Sequence, residues 1–208
     1  MTYLLHTEDL LENNAEIFSG LIITQMKKTG GKDEVKVLQL KNITDTGEVE
    51  LDELDSIMYY LGKINEKYFL REDDIIIKAK SSNYKAGIIK NLPKENFYLI
   101  PSSQLIVVRL KEKVKENKIL PDFLWLFLNS KKGKKIISEK TYGSIVRFVK
   151  TDTLKEIVLS YPSIGTQEEI VKVYKKMMER KKLAQKLLSL YEEEMETFFE
   201  IAFEGEIK

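Results

Sequence analysis

One stretch of this 208-residue chain poses a chemical question. Residues 73 to 90 read DDIIIKAKSSNYKAGIIK. Three isoleucines suited to a core run straight into Lys78, Lys80, Ser81, Ser82, Asn83, Tyr84 and Lys85. Ammonium groups neutralise phosphates, serine hydroxyls bond phosphates or base edges, and an asparagine amide can pair bidentately with adenine. The chemistry on offer is recognition of a polyanion with a readable edge. An ordinary hydrophilic hairpin uses the same residue types, so the rest of the chain must decide.

Further candidates of the same kind lie elsewhere. Lys41 and Asn42 follow the strand-like VKVLQL. Lys27, Lys28 and Lys32 in KKTGGK are candidate phosphate neutralisers. TYGSIVR supplies Tyr142, Gly143, Ser144 and Arg147, with glycine permitting close backbone approach. The net charge of +1 hides a division: residues 78 to 155 hold 18 Lys and Arg against 6 Asp and Glu, and the remainder holds 16 against 27. Such asymmetry is the electrostatic footprint expected of a polyanion-binding region.

Catalytic arrangements find little support. His6 is the only histidine and there is no cysteine, which removes thiolate metal sites, disulfides and cysteine nucleophiles. Neither GxSxG, GxxxxGK[ST] nor GxGxxG occurs. Asp73 and Asp74 with Lys78 and Lys80 are the nearest approach to a metal-dependent nuclease site. In a strand, however, Asp74, Lys78 and Lys80 share one face while Asp73 points to the other. A non-catalytic chain with no cofactor and no metal is expected. The start of the sequence lacks a basic-then-apolar signal, and no window nears the roughly 18 apolar residues of a membrane span. A soluble, cytoplasmic protein is expected.

The elements that must position these residues fall into two unlike parts. Over residues 1–162, strand-like runs at 35–40, 74–80, 103–110, 144–149 and 156–161 alternate irregularly with helical stretches at 51–61, 120–130 and 131–139. The segment after Lys85 returns as a further strand. Pro121 suits a first helical turn. With 43% hydrophobic residues, this part can bury a core, and its order predicts a mixed-sheet α+β domain without a βαβ repeat.

Residues 166–204 read as one long helix, with Thr166 and Glu169 spaced as a capping box. Ile170, Tyr174, Met177, Lys181, Ala184, Leu188, Tyr191, Met195, Phe198 and Ala202 recur at alternating steps of four and three, the spacing of a coiled-coil seam. At 1.5 Å per residue the helix spans about 55 Å, so part of the seam is expected to meet another helix. Lys181 breaks the apolar pattern and either fixes register or snorkels to water.

Seven blocks carry a family resemblance in order: AEIFSG (15–20), VKVLQLKNITDTGEVELDEL (35–54), REDDIIIKAKSSNYKAGII (71–89), SSQLIVVRL (102–110), LPDFLWLFLNSKKGKKII (120–137), TYGSIVRFV (141–149) and LKEIVLSYPSIGTQEEIV (154–171). Together they resemble a DNA-specificity (S) subunit of type I restriction-modification systems, and more narrowly one target recognition domain followed by one spacer helix. Two departures stand out. Where the family often has PLPPLEEQ, this chain has SYPSIGTQ, keeping Pro162 and Gln167 but placing Gly165 and Thr166 at the acidic pair. A glycine common at the family's strand end is occupied by Asn83 or Tyr84.

The resemblance implies a subunit that performs no chemistry. It would read half of a bipartite double-stranded DNA target and position methyltransferase (modification) subunits, and an endonuclease subunit where present. Family members typically carry two recognition domains and two helices, so the chain is expected to act as a half subunit. It would pair through its helix with a second copy, as a homodimer, or with another half S subunit. Two-fold symmetry would make the target an interrupted palindrome with a gap of several base pairs. A protein-interaction or regulatory module that no longer reads DNA is the alternative.

Overall fold

The computed structural model describes residues 7–44, 46–80, 85–93, 97–139 and 148–203. The chain divides into two compact units, residues 1–167 and 168–208. In chain order the elements are β1 (Thr7–Leu10), α1 (Leu11–Asn14), β2 (Ala15–Ser19), α2 (Ile23–Thr29), β3 (Asp33–Leu38), β4 (Asp55–Tyr59), β5 (Ile75–Lys78), β6 (Ala86–Ile88), β7 (Leu99–Pro101), β8 (Leu105–Leu110), α3 (Glu112–Asn117), α4 (Pro121–Asn129), α5 (Lys131–Glu139), α6 (Thr151–Lys155), β9 (Val158–Tyr161) and α7 (Ile164–Phe203).

Three sheets organise the first unit. A four-stranded sheet runs β2-β8-β5-β6, a three-stranded sheet runs β4-β3-β7, and β1 pairs with β9. The β3–β7 pair is parallel and the others are antiparallel. This is the mixed-sheet α+β architecture expected. The strand β8 is buried along its whole length, and Ile75, Ile76 and Ile77 of β5 are equally enclosed. That explains why both read as continuous apolar runs without alternation.

The alternation of β3 sends side chains into two cores. Val35 and Val37 join Met26, Ile57, Ile64 and Ile100; Leu38 joins Ile43, Leu70, Ile76, Ile89, Leu99, Leu105 and Val107. This division corrects one expectation. Residues 51–61, read as a helix, contain β4, paired antiparallel to β3 from Asp33↔Tyr59 to Val37↔Asp55. Leu51, Leu54, Met58 and Leu61 mimic helical spacing, but Leu51 and Leu54 pack on one core and Leu61 on the other. Tertiary pairing overrides the local pattern. Of the run 144–149, only Phe148 and Val149 lie among the described residues.

Pro121 opens α4 at its first turn, as expected. Ser130 then separates α4 from α5: its Oγ donates to the Phe127 carbonyl at 2.6 Å and accepts from Gly133 N at 3.0 Å. A Cβ on Gly133 would stand 2.1 Å from the Phe127 carbonyl oxygen, so only glycine fits this junction. The long helix starts earlier than its expected capping box. It begins at Ile164, with Ser163 ahead of it: the Ser163 carbonyl accepts from Gln167 N at 3.0 Å and its Oγ lies 3.1 Å from the Thr166 hydroxyl. Gln167 is wholly buried; its amide oxygen accepts from Leu120 N, and its nitrogen donates to the carbonyls of Lys118 and Pro162.

Candidate nucleic-acid interface

The strand β5 ends at Lys78, but its chain stays pinned two residues further. Lys80 forms an isolated antiparallel bridge with Phe148, and Val149 N donates to the Ala79 carbonyl at 2.9 Å. The Lys80 ammonium stands 5.4 Å from the centroid of the exposed Phe148 ring, a cation–π contact. Ser81, Ser82, Asn83 and Tyr84 follow Lys80, and Tyr142, Gly143, Ser144 and Arg147 precede Phe148. Those eight candidates, like His6, lie outside the described residues. The residues that anchor both segments are neighbours.

The other end of the first segment is anchored just as firmly. Ala86, the first residue of β6, donates from its N–H to Asn129 Oδ1 at 3.0 Å, and its carbonyl accepts from Trp125 Nε1 at 2.7 Å. These bonds bring α4, and α5 behind it, to the edge where Lys85 emerges. Burial and the nearby charge of Lys85 hold the Lys134 ammonium below its usual value. Lys131, Lys132 and Lys135 of the same helix are exposed. Lys134 is a basic residue that the sequence reading missed; the four lysines of KKGKK were the available signal.

The remaining candidates divide by exposure. Lys27, Lys28 and Lys32 are exposed, the first two in the last turn of α2. Lys41 is also exposed and pairs with Asp55 at 2.7 Å; that hydrogen bond holds the Asp55 carboxyl below its ordinary range. Lys78 instead turns to the backbone, donating to the Ile43 carbonyl at 3.0 Å. Asn42 departs furthest from expectation. It is buried, its Oδ1 accepting from Gln39 N and its Nδ2 donating to the Glu53 carbonyl, so its amide serves a turn rather than the surface.

Neither candidate carboxylate is free for metal chemistry. Asp74 is buried against Arg109, whose Nε and terminal nitrogen donate to its two oxygens at 2.7 and 2.6 Å, with Arg71 N as a third donor. Burial pushes its carboxyl up against the pull of Arg109. Asp73 takes both Lys90 and Lys115. Among the described residues, no group of three His, Cys, Asp or Glu side chains could hold a metal ion. Among them too, no helix is long and apolar enough to cross a membrane.

On α7, the seam residues Ile170, Met177, Lys181, Ala184, Leu188, Tyr191, Met195 and Phe198 are exposed, and Tyr174 is half-buried. A second exposed row, Leu183, Leu187, Leu190 and Ile201, runs one residue ahead of the seam. Glu194 and Thr197 interrupt this row between Leu190 and Ile201, so α7 offers the seam and beside it a second, broken apolar row.

The fold, a mixed-sheet domain followed by a long helix, is similar to that of several solved structures. The HsdS subunit from Thermoanaerobacter tengcongensis is 15% identical, with a TM-score of 0.65 over 93% of this chain and 47% of that one. The S subunit of a type I restriction-modification system from M. genitalium is 13% identical, with a TM-score of 0.53 over 86% and 41%. A chain from a structural study of complex assembly and conformational transition of the type I R-M system is 16% identical, with a TM-score of 0.64 over 95% and 48%. This chain spans about half the length of each. No curated protein matches its sequence significantly. Residues 24–190 match the model of the type I restriction modification DNA specificity domain, and the chain belongs to that family.

Proposed function

We propose that this chain is a sequence-specific DNA-binding specificity subunit that reads one half of a bipartite duplex target and performs no catalysis itself. Residues 1–162 act as the target recognition domain and residues 166–204 as the spacer and pairing helix. The observation that carries the reading is the Lys80–Phe148 bridge. It anchors two segments rich in donors and positive charge at one sheet edge, with Lys85 and the α5 lysines alongside, inside a family defined by DNA specificity. Rigid anchoring of recognition loops lowers the ordering cost of binding.

The seam of α7 and the broken row beside it support partners of two kinds. One face pairs with the same helix of a second copy or of another half subunit, and the other receives methyltransferase subunits, with an endonuclease subunit joining where the system has one. Antiparallel pairing of two copies makes the target an interrupted palindrome. The setting is the cytoplasm.

Fluorescence anisotropy of the full chain with mixed-sequence duplexes, titrated between about 50 and 200 mM salt, tests the proposal. Binding that weakens steeply with salt is expected. Absence of binding at the low end would leave a protein-interaction module as the better description.

A further inference from the structure

A groove of about 270 Å³ lies at the start of α2, lined by Ile22, Lys27, Gln39, Ser102, Ser103 and Gln104 among others. Three distant chain segments make it. Leu21 N donates to the Pro101 carbonyl at 2.8 Å, Ser103 N to the Leu21 carbonyl at 2.7 Å, and Ser102 N to the Leu38 carbonyl at 2.9 Å. Gly20 permits the approach, since a Cβ there would stand 2.2 Å from the Ser102 carbonyl oxygen.

The lining is chemically specific. Ser102 is 8% exposed, and its buried Oγ has no hydrogen-bond partner among the described residues. Ser102 thus forms part of the floor of the groove, and the side chains that can reach a ligand are the exposed ones around its rim. Gln104 is exposed and its side-chain amide is unengaged among the described residues. Gln39 is held in place, its Nε2 donating to Asp55 at 2.7 Å. Ile22 is half exposed and Lys27 fully on the surface. The groove also adjoins the edge already described: the Gln104 carbonyl accepts from Ala79 N at 2.9 Å, one residue before Lys80.

Resting on the DNA-reading function above, we propose that the exposed rim of this groove is a second base-reading site, whose side chains enter the major groove at an A·T pair. The Gln104 amide pairs with the N6 and N7 edge of adenine, Ile22 packs on the thymine methyl, and Lys27 holds the flanking phosphate. A primary amide is the side chain whose donor and acceptor match adenine, and thymine alone offers a methyl to an exposed aliphatic neighbour. A G·C pair at this position leaves the amide mismatched and Ile22 without its methyl.

The test uses the full chain and a duplex recovered by selection from a random pool, with single adenines replaced by 7-deazaadenine and single thymines by deoxyuridine. One adenine position should lose about tenfold on losing N7, and that loss should vanish in Gln104→Ala. The deoxyuridine loss at its partner should vanish in Ile22→Ala. Gln104→Glu should shift the preference at that position toward cytosine, whose amino group a carboxylate accepts. The inference is overturned if Gln104→Ala weakens random and selected duplexes alike, or if the 7-deaza loss persists unchanged in that variant. If the wild-type chain enriches no duplex, the DNA-reading function itself falls, a result distinct from either of these.

Discussion

Lys80 and Phe148, 68 positions apart in sequence, are antiparallel bridge partners whose side chains also meet, ammonium over ring at 5.4 Å. The pairing brings together the described residues from which two donor-rich stretches of sequence depart. Under the proposed function a lysine held at that point would act on phosphates, because among the described residues its partner is a ring face rather than a carboxylate.

Lys80→Ala should therefore weaken binding to every duplex, cognate or random, and reduce the salt slope by about one unit. Asn83→Ala should instead relax preference at one base position. Anisotropy on a cognate and a scrambled duplex separates the two, and equal effects of both variants on both duplexes would contradict the assignment.

The buried Arg109–Asp74 pair makes a stability prediction independent of DNA. Removing one partner strands a charge in a dry interior, so Arg109→Met should cost about 3–5 kcal/mol, read from urea denaturation. Adding Asp74→Leu to that variant should recover much of the loss, because no buried charge then remains. A single variant within about 1 kcal/mol of wild type would show the pair to be solvated.

The Asp73 network predicts a pH dependence. Burial raises the Asp73 carboxyl, but hydrogen bonds and charge from Lys115 and Lys90 outweigh it and hold the group below its ordinary 3.8. Its stabilisation is thus complete above that value and lost as pH falls through the lowered one. Burial lowers the Lys90 ammonium, but Asp73 and Asp122 outweigh it and raise the group above its ordinary 10.5. Its contribution is present below that value and lost as pH rises through the raised one. Urea midpoints measured across pH should fall more steeply in acid for the wild type than for Asp73→Asn; parallel acid limbs would contradict the network.

The helix prediction concerns self-association. Leu188→Lys places a charge in the seam, and Leu187→Lys places one in the adjoining row. Sedimentation equilibrium should show the first converting dimer to monomer. The second should spare self-association while weakening capture of a methyltransferase subunit. A wild-type chain that is monomeric at micromolar concentration would remove the homodimer and leave a heteromeric partner.

Much of the architecture was legible because the signals are local. Ile75–Lys78 and Leu105–Leu110 announce themselves as buried strands, Pro121 marks the start of its helix, and the steps of four and three along α7 need no tertiary information. What escaped depends on distant pairing. The strand Asp55–Tyr59 exists because β3 lies beside it, and its leucine spacing alone points the other way. Asn42 looks like a surface reader until Gln39 and Glu53 close around it. Arg109 lies 35 residues from Asp74, and the groove around Gln104 needs three separate segments, so neither leaves a mark in any short window.

Selection of bound duplexes from a random pool by the full chain decides whether this protein reads DNA as a paired half subunit. Enrichment of a two-fold symmetric sequence is expected, with half-sites separated by a fixed gap of several base pairs and at least one A·T position sensitive to Gln104. Recovery of a pool no different from the input, at a salt concentration where other basic proteins still bind DNA, would contradict that reading.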